Sequence, residues 1–482
     1  MEIVDSNRRV TLFYLMQIAC RHGQLRLIAW YVYSGSNVLI NGVIDSRLKM
    51  WSRERSSLDT KVKISAISIT VTFLLMALLQ GCSSESKLDR GRLPTSEEAV
   101  PNAAPSVSAE RSHERDGVTD NEVVIGSCSA LDGPAAALGK QTVLGAKVYL
   151  DYINDAGGVN GRKIKLLTYD DSYEPHKAID CFNQLIKQNI FAAAFFVGTP
   201  TAAKYVPMAE ANKIPLLGLF TGAQLLHEPF KPHVISVRAS YYDETREQVD
   251  HLWNDLGIRK IGVIYQDDAF GATVLAGVRK ALEHHGGTSA VLGSFPRNTI
   301  DVNDAVNRVR EGNPEAVILA GTYKPVAEIV KLSHKSGWHP LFLTVSFVGT
   351  EAFIKAAGKD AEGTVITQVV PPYNRDDLST VSLYKKLLTK YAPKEQPTFV
   401  SLEGFIDALV VVEGLKLAGQ DLTRTKFIAA IESIHDKDVG LGPNLKLNYG
   451  PTRHKGFDSV YYTVVKGGQP ITFVDWKQFK SR

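Results

Sequence analysis

From residue 121 onward the chain alternates short apolar runs with longer segments whose apolar positions recur every three or four residues. Residues 122–126 (EVVIG) read as a strand. Residues 139–156 carry Val143, Ala146, Leu150 and Ile153 at helical spacing. The cluster Gly157-Gly158-Val159-Asn160-Gly161 reads as a turn. A strand over 164–169, a helix over 175–188, a strand over 191–197, a helix over 201–211 and a strand over 214–219 follow. A second run repeats the alternation, with strands at 260–265, 290–295, 316–320 and 341–345 and helices at 271–285, 302–312 and 325–335. Apolar strands alternating with amphipathic helices predict parallel sheets covered on both faces. The two runs flank Ser240-Tyr241-Tyr242-Asp243, a natural hinge, so the pattern predicts an α/β chain of two doubly wound lobes. In open sheets of this kind, ligands bind beyond the C-terminal ends of the strands. The loops that matter are therefore 129–138, 198–201, 220–223, 266–270, 321–323 and 346–349. Two such lobes facing each other form a cleft that closes by hinge motion.

The pattern ahead of residue 121 is different. Residues 64–80 (ISAISITVTFLLMALLQ) form an uncharged apolar run behind Arg53, Arg55, Lys61 and Lys63. A basic stretch, an apolar stretch and a small residue before a cut describe a secretory signal. The run is 17 residues long, short of the roughly 20 that span a membrane. Leu79-Gln80-Gly81-Cys82 resembles the bacterial lipobox, which implies cleavage before Cys82 and lipidation of its thiol; the alternative is a short transmembrane anchor with an incidental cysteine. Residues 83–119 are dominated by Ser, Pro, Ala and charges and bury too little apolar surface to offset their ordering entropy. The expected organisation is a non-native extension over 1–49, a signal over 50–81 with Met50 near the true start, and a flexible linker over 82–120. Residues 1–49 hold aromatic and apolar stretches but no clean periodic segment, and they are set apart from the fold. Ser83, rather than Asp, follows the cysteine, which by the same resemblance implies the outer membrane in a two-membrane cell.

Composition changes this picture little. The 482 residues are 44% hydrophobic and 22% charged, ordinary values for a globular chain with room for more than one core. A formal net charge of +4 gives no argument for nucleic acid, which needs a clustered basic face. The four cysteines, Cys20, Cys82, Cys128 and Cys181, form no CxxC pair, so zinc and thioredoxin-like chemistry lack support. His284-His285 with Glu283 sits at a helix end before Gly286-Gly287, where cations suit the dipole better than a metal does. The chain holds no GxSxG elbow, HExxH zincin motif or GxxxxGK[ST] loop. No catalytic residue, cofactor or metal is therefore expected.

Several strings, taken in order, carry a family resemblance. They are Leu131-Asp132-Gly133-Pro134 with Leu138-Gly139, Asp155 through Ile164 (DAGGVNGRKI), Tyr169-Asp170-Asp171, Tyr265 through Gly271 (YQDDAFG), and Ala361-Glu362-Gly363. Together they resemble the leucine/isoleucine/valine-binding family of periplasmic binding proteins, over about residues 121–482. The resemblance implies a type I fold whose lobes are joined by three crossings, expected near 238–242, 368–372 and 442–447. Lobe 1 is then 121–239 with 373–441, and lobe 2 is 241–367 with 445–482.

By the same resemblance, hydroxyls and backbone amides of lobe 1 hold a ligand carboxylate. The matching positions are Thr199, Thr201, Thr221, Gly222 and Ala223, after strands and at helix N-termini where free N–H groups favour an anion. Gly198-Thr199-Pro200-Thr201 also reads as a simple helix cap. Leu138, Phe270, Thr322 and Tyr323 fall where the family closes over its ligand, and Ser346 and Phe347 fall where amino-acid binders offer a carboxylate to the ligand ammonium. A buried ammonium without an anionic partner is costly. Asp243, Asp267, Asp268 or Glu403 would have to substitute, or the ligand is a carboxylic acid, an amide or an aromatic acid. Cys128 ends the first strand and Cys181 lies in the second helix, which in this sheet order crosses that strand. A disulfide and two buried small residues are both consistent with that placement.

The function implied is the solute-binding lipoprotein of an ABC importer, with a small polar ligand and an ABC permease as partners and the membrane reached through a lipid anchor. The alternative is a tethered sensing or regulatory module of a signalling or cell-wall system.

Overall fold

The computed structural model describes residues 113–287, 290–443 and 445–480, together with the backbone of five strands within residues 2–44. The signal at 64–80, Cys82 and the linker up to residue 112 lie outside the described residues. The chain divides into two units, residues 1–100 and 101–482. In the first, β1 (Glu2–Asp5) pairs antiparallel with β2 (Arg8–Thr11), and β3 (Phe13–Arg21), β4 (Gln24–Val32) and β5 (Ile40–Ile44) form an antiparallel meander. β3 and β4 are largely apolar and aromatic runs of nine residues each.

The second unit contains the two lobes. In lobe 1 the parallel sheet is built from β6 (Glu122–Ser129), β7 (Lys163–Asp170), β8 (Ala192–Ala194), β9 (Leu216–Leu217) and β10 (Val234–Ile235), in the order β10-β9-β8-β6-β7. Helices α1 (Ala136–Asp155), α2 (Pro175–Lys187) and α3 (Thr199–Ala211) connect them. Read by position along this lobe the order is 2-1-3-4-5, the doubly wound pattern whose switch point lies between its first and third strands. β8 and β9 are shorter than the apolar runs at 191–197 and 214–219, because Phe195 and Gly218 take positive φ and turn the chain out of the ladder. A disulfide joins Cys128 to Cys181, cross-linking β6 to the helix that covers it.

Lobe 2 opens with α4 (Tyr241–Asn254) and continues through β11 (Ile261–Asp267), α5 (Ala269–His284), β12 (Val291–Pro296), α6 (Asn303–Glu311), β13 (Ala316–Ala320), α7 (Tyr323–Lys335), β14 (Leu341–Thr344), α8 (Thr350–Ala357) and β15 (Val365–Gln368). Its sheet repeats the lobe 1 order and adds an antiparallel pair at one edge, β18 (Tyr461–Lys466) and β19 (Gln469–Phe473). The remaining helices, α9 (Ser379–Tyr391), α10 (Phe399–Ala418) and α11 (Arg424–Glu432), return to lobe 1. α10 carries apolar residues on all its faces, with Glu403 and Asp407 among them, and is buried along most of its length. It lies directly on α1. A Cβ on Gly145 would sit 1.8 Å from the Ser401 carbonyl oxygen, and one on Gly404 would sit 2.2 Å from that of Thr142.

The crossings near 238–242 and 368–372 follow β10 and β15. The third does not lie at 442–447. Lys446 and Leu447 form β17, paired antiparallel with β16 (Lys437–Asp438), and Leu445, Leu447 and Tyr449 are buried in the lobe 1 core. The chain leaves that core only at 455–457. There Ser236 bridges Lys455 in parallel, and Gly456 and Phe457 donate to the Ser236 and Val237 carbonyls. Apolar burial of 445–449 holds the segment to lobe 1 for about ten residues longer than the sequence predicts.

Candidate functional site

The loops beyond the strand ends of both lobes meet, and one side chain stands at their centre. Phe347 follows β14 in a short 3-10 turn over Ser346–Val348. Its ring lies 5.6 Å from Phe220 and 6.0 Å from Tyr173, both of lobe 1, and 4.6 Å from Phe270 and 6.3 Å from Tyr241, both of lobe 2. All five rings are fully buried. Pairs at these separations gain about 0.5–1.5 kcal/mol each beyond their area burial.

A buried ion cluster holds Phe347 in place. Arg238, in the first crossing, donates to Glu244 of α4 at 2.7 Å, to Glu403 of α10 at 3.1 Å, and to the Ser346 hydroxyl. Glu244 in turn accepts from the Ser346 backbone N–H at 2.7 Å and from the Thr367 hydroxyl at 2.6 Å. The backbone of the residue before Phe347 is thereby tied to the hinge. Burial by itself would lower the Arg238 pKa, but the charges of Glu403 and Glu244 raise it above its ordinary value. Burial pushes Glu403 up to about 7 against the pull of Arg238. Asp407, one turn along α10, is raised far above the carboxylate range by burial and then by the Glu403 charge. One guanidinium thus pairs with two buried carboxylates, and the third, Asp407, lies close enough for their charges to disfavour its ionised form.

The eleven residues expected to line the ligand site are all buried. Thr199 and Thr221 hydroxyls hydrogen-bond each other at 2.7 Å. Thr201 instead turns its hydroxyl back to the Val197 and Gly198 carbonyls at 2.7 and 3.0 Å. The N-cap of α3 is Gly198, with no side-chain cap. Gly222 accepts from the Tyr241 N–H at 2.7 Å, where a Cβ would meet that nitrogen at 2.8 Å. Ala223, Leu138, Phe270 and Tyr323 join one apolar cluster that runs from the lobe 2 core into lobe 1. Thr322 stands at the N-cap of α7 with its hydroxyl unpartnered in a buried setting. Tyr173 and Tyr241 hydroxyls and the Gln266 carbonyl oxygen are likewise buried without a partner. Ser346 is spent on the Arg238–Glu244 pair.

Of the candidate substitutes for a missing carboxylate, Asp267 ends β11 exposed to solvent and the other three are engaged. Asp243 closes a capping box with Ser240 and pairs with Lys455 at 2.7 Å, Asp268 caps α5, and Glu403 is held by Arg238. Sequence reasoning missed Tyr173, Phe220, Tyr241, Glu244 and Arg238 as site residues. Arg238 and Tyr241 fell inside the expected hinge, and a charged residue in a hinge strand is the signal that would have singled out the cluster.

The lobes also touch at the rim. Arg297 of lobe 2 reaches Glu174 and the Tyr173 carbonyl of lobe 1, both at 2.7 Å, and Asn298 donates to Glu174 at 2.6 Å. At another point Glu351 accepts from the Phe399 N–H at 3.3 Å, with burial raising its pKa to about 7. Gly349, at φ +72°, lies so near Leu138 that a Cβ would meet its Cδ2 at 2.3 Å.

Two doubly wound lobes, joined by three crossings and lined at their junction by strand-end loops, define a binding protein of the hinged, two-lobed class. The periplasmic binding protein family model matches residues 122–469. The chain belongs to that family, with the type I fold. A Leu/Ile/Val-binding protein homolog 3 from Brucella melitensis is 24% identical over 321 residues, covering 65% of this chain and 83% of that one. The crystal structure of a possible leucine/isoleucine/valine-binding protein from Rhodopirellula baltica superposes with a TM-score of 0.71 at 32% identity, covering 74% of this chain and 98% of that one. A branched-chain amino acid ABC transporter protein from Thermus thermophilus with bound valine shares the fold, with a TM-score of 0.65 at 18% identity over 74% of this chain and 96% of that one.

Proposed function

We propose that this chain is the solute-binding component of an ABC importer, capturing an amino acid or related small carboxylate between its lobes and presenting it to a membrane permease. The observation that carries the reading is the convergence of strand-end loops from both lobes on Phe347, beside the Thr199–Thr221 hydroxyl pair. A ligand that touches both lobes favours closure by its differential contacts with the closed state. The relatives named as Leu/Ile/Val-binding proteins support the solute class. Export and lipidation at Cys82 follow from the lipobox-like string and fit a family named for the periplasm.

Glu244 and Glu403 at the junction are engaged by Arg238, Thr367 and Ser346, so neither is free to receive a ligand ammonium. Leucine is therefore expected to bind more weakly than small organic acids, amides or aromatic acids. A thermal-shift screen of the purified chain against these classes tests the reading. At a hundredfold excess over its dissociation constant, a ligand of the folded state adds about 2.7 kcal/mol of stability. Thr199→Ala and Thr221→Ala should remove the shift. No shift across the panel would count against solute capture and favour a regulatory module with a protein partner.

A further inference from the structure

A cavity lies away from the Phe347 junction, on the flank of the hinge. Its volume is about 470 Å³, within the range of about 300–1,000 Å³ typical of small-molecule sites. Both lobes and the third crossing build it: the loop at 224–230 after β9, the facing sides of α4 and α5, and residues 452–455. The floor is apolar, with Leu226 and Ala281 buried, and the ring of Phe230 stands at the edge still 42% exposed. Tyr242 forms one wall, with the Lys280 ammonium 5.5 Å over its ring.

The polar groups here are unequally satisfied. Arg246 pairs with Asp243 and Glu247, Arg453 with Asp458, and Lys455 with Asp243 and Asp458. Asp243 is thereby neutralised at the wall. Among the described residues, Lys280 has no carboxylate partner and the buried Nε2 of His227 has no hydrogen-bond partner. Burial, then the charge of Lys455, holds the His227 pKa down at about 4, so its imidazole is neutral at physiological pH. A neutral imidazole with a buried, unsatisfied nitrogen costs about 1–3 kcal/mol until a partner arrives.

We propose that this cavity is a second binding site, separate from the interlobe cleft, for a small carboxylate that carries an apolar ring. The carboxylate meets Lys280, the ring lies on Leu226, Phe230, Ala281 and Tyr242, and His227 Nε2 bonds a polar atom of the ligand. Because its walls come from both lobes, an occupant stabilises one interlobe angle and couples to capture in the cleft.

Calorimetric titration of the full chain with phenylacetate, and separately with its neutral counterpart phenylacetamide, tests the site. Expected is saturable binding of the acid, at least tenfold tighter than the amide. Lys280→Met should weaken the acid about tenfold and leave the amide unchanged, while Phe230→Ser weakens both. Thr199→Ala in the cleft should leave this binding in place. Lys280 and Phe230 are exposed, so ligand-free melting temperatures should match the parent. Acid binding that survives Lys280→Met but disappears in Thr199→Ala would place the acid in the cleft and overturn the proposal. So would no binding at millimolar acid. The first result would support solute capture in the cleft, and the second would leave that reading to the thermal-shift screen, which tests it against the other solute classes.

Discussion

Phe347 is the residue on which the site turns, because it alone touches aromatic rings of both lobes among the contacts at the junction. Truncating it to Ala removes those ring contacts and is expected to cost about 3–5 kcal/mol. It also enlarges the space that a solute shares with Tyr173 and Phe220. Denaturant unfolding should show the loss, and the ligand screen should shift toward bulkier acids. Glu351 gives a pH signature. Its pKa rises from 4.5 in the unfolded chain to about 7 in the folded one, chiefly through burial. The folded state therefore holds the extra proton between those values, and this stabilisation is complete below about 4.5 and lost as pH climbs through about 7. Glu351→Gln keeps an acceptor for the Phe399 N–H without the charge. Melting curves should show the variant more stable than the parent at pH 8, by on the order of 1–3 kcal/mol, with the gap closing toward pH 5. A gap that is constant with pH would show that Glu351 is not the group responsible.

At the scale of elements, the contact between α1 and α10 depends on two missing Cβ atoms. Gly145 faces the Ser401 carbonyl and Gly404 faces that of Thr142. Alanine at either position forces the helices apart, with an expected loss of about 1–3 kcal/mol by overpacking despite its better helix propensity. Chemical denaturation of Gly145→Ala measures it. The disulfide between β6 and α2 spans 53 residues of sequence. Its removal by Cys181→Ser should cost about 2–4 kcal/mol, chiefly by freeing the unfolded chain, and reductant should lower the melting temperature of the parent but not of the variant.

For the whole molecule, the question is what holds the lobes together. Arg297 bridges to Glu174 and Tyr173, and Asn298 joins the same carboxylate. Arg297→Ala should shift the population toward separated lobes and raise the radius of gyration seen by small-angle scattering. It should weaken solute binding without altering the secondary structure. An unchanged radius would mean that the Arg238 cluster and Phe347 suffice to hold the lobes.

Hydrophobic periodicity determined the alternating strands and helices from β6 through β14 apart from β10 and α4, because a two-sided sheet and its covering helices each leave a local signature in the chain, whereas β10 is two residues long and α4 begins inside the segment read as a hinge. It also located the strand-end loops, since these lie wherever an apolar run stops. α10 escaped because its apolar residues fall on every face and so carry no period. The third crossing was misplaced because 445–449 pairs and packs with partners distant in sequence. The same holds for the site. Thr199, Thr221, Phe270 and Phe347 were legible as loop residues in a family-like order. That Thr201 is consumed by its own helix turn, that Arg238 gathers Glu244, Glu403 and Ser346, and that Phe347 joins four rings were decided only by tertiary structure. Burial and pairing of charges are properties of what surrounds a residue, and in this chain those surroundings arrive from segments more than a hundred positions away.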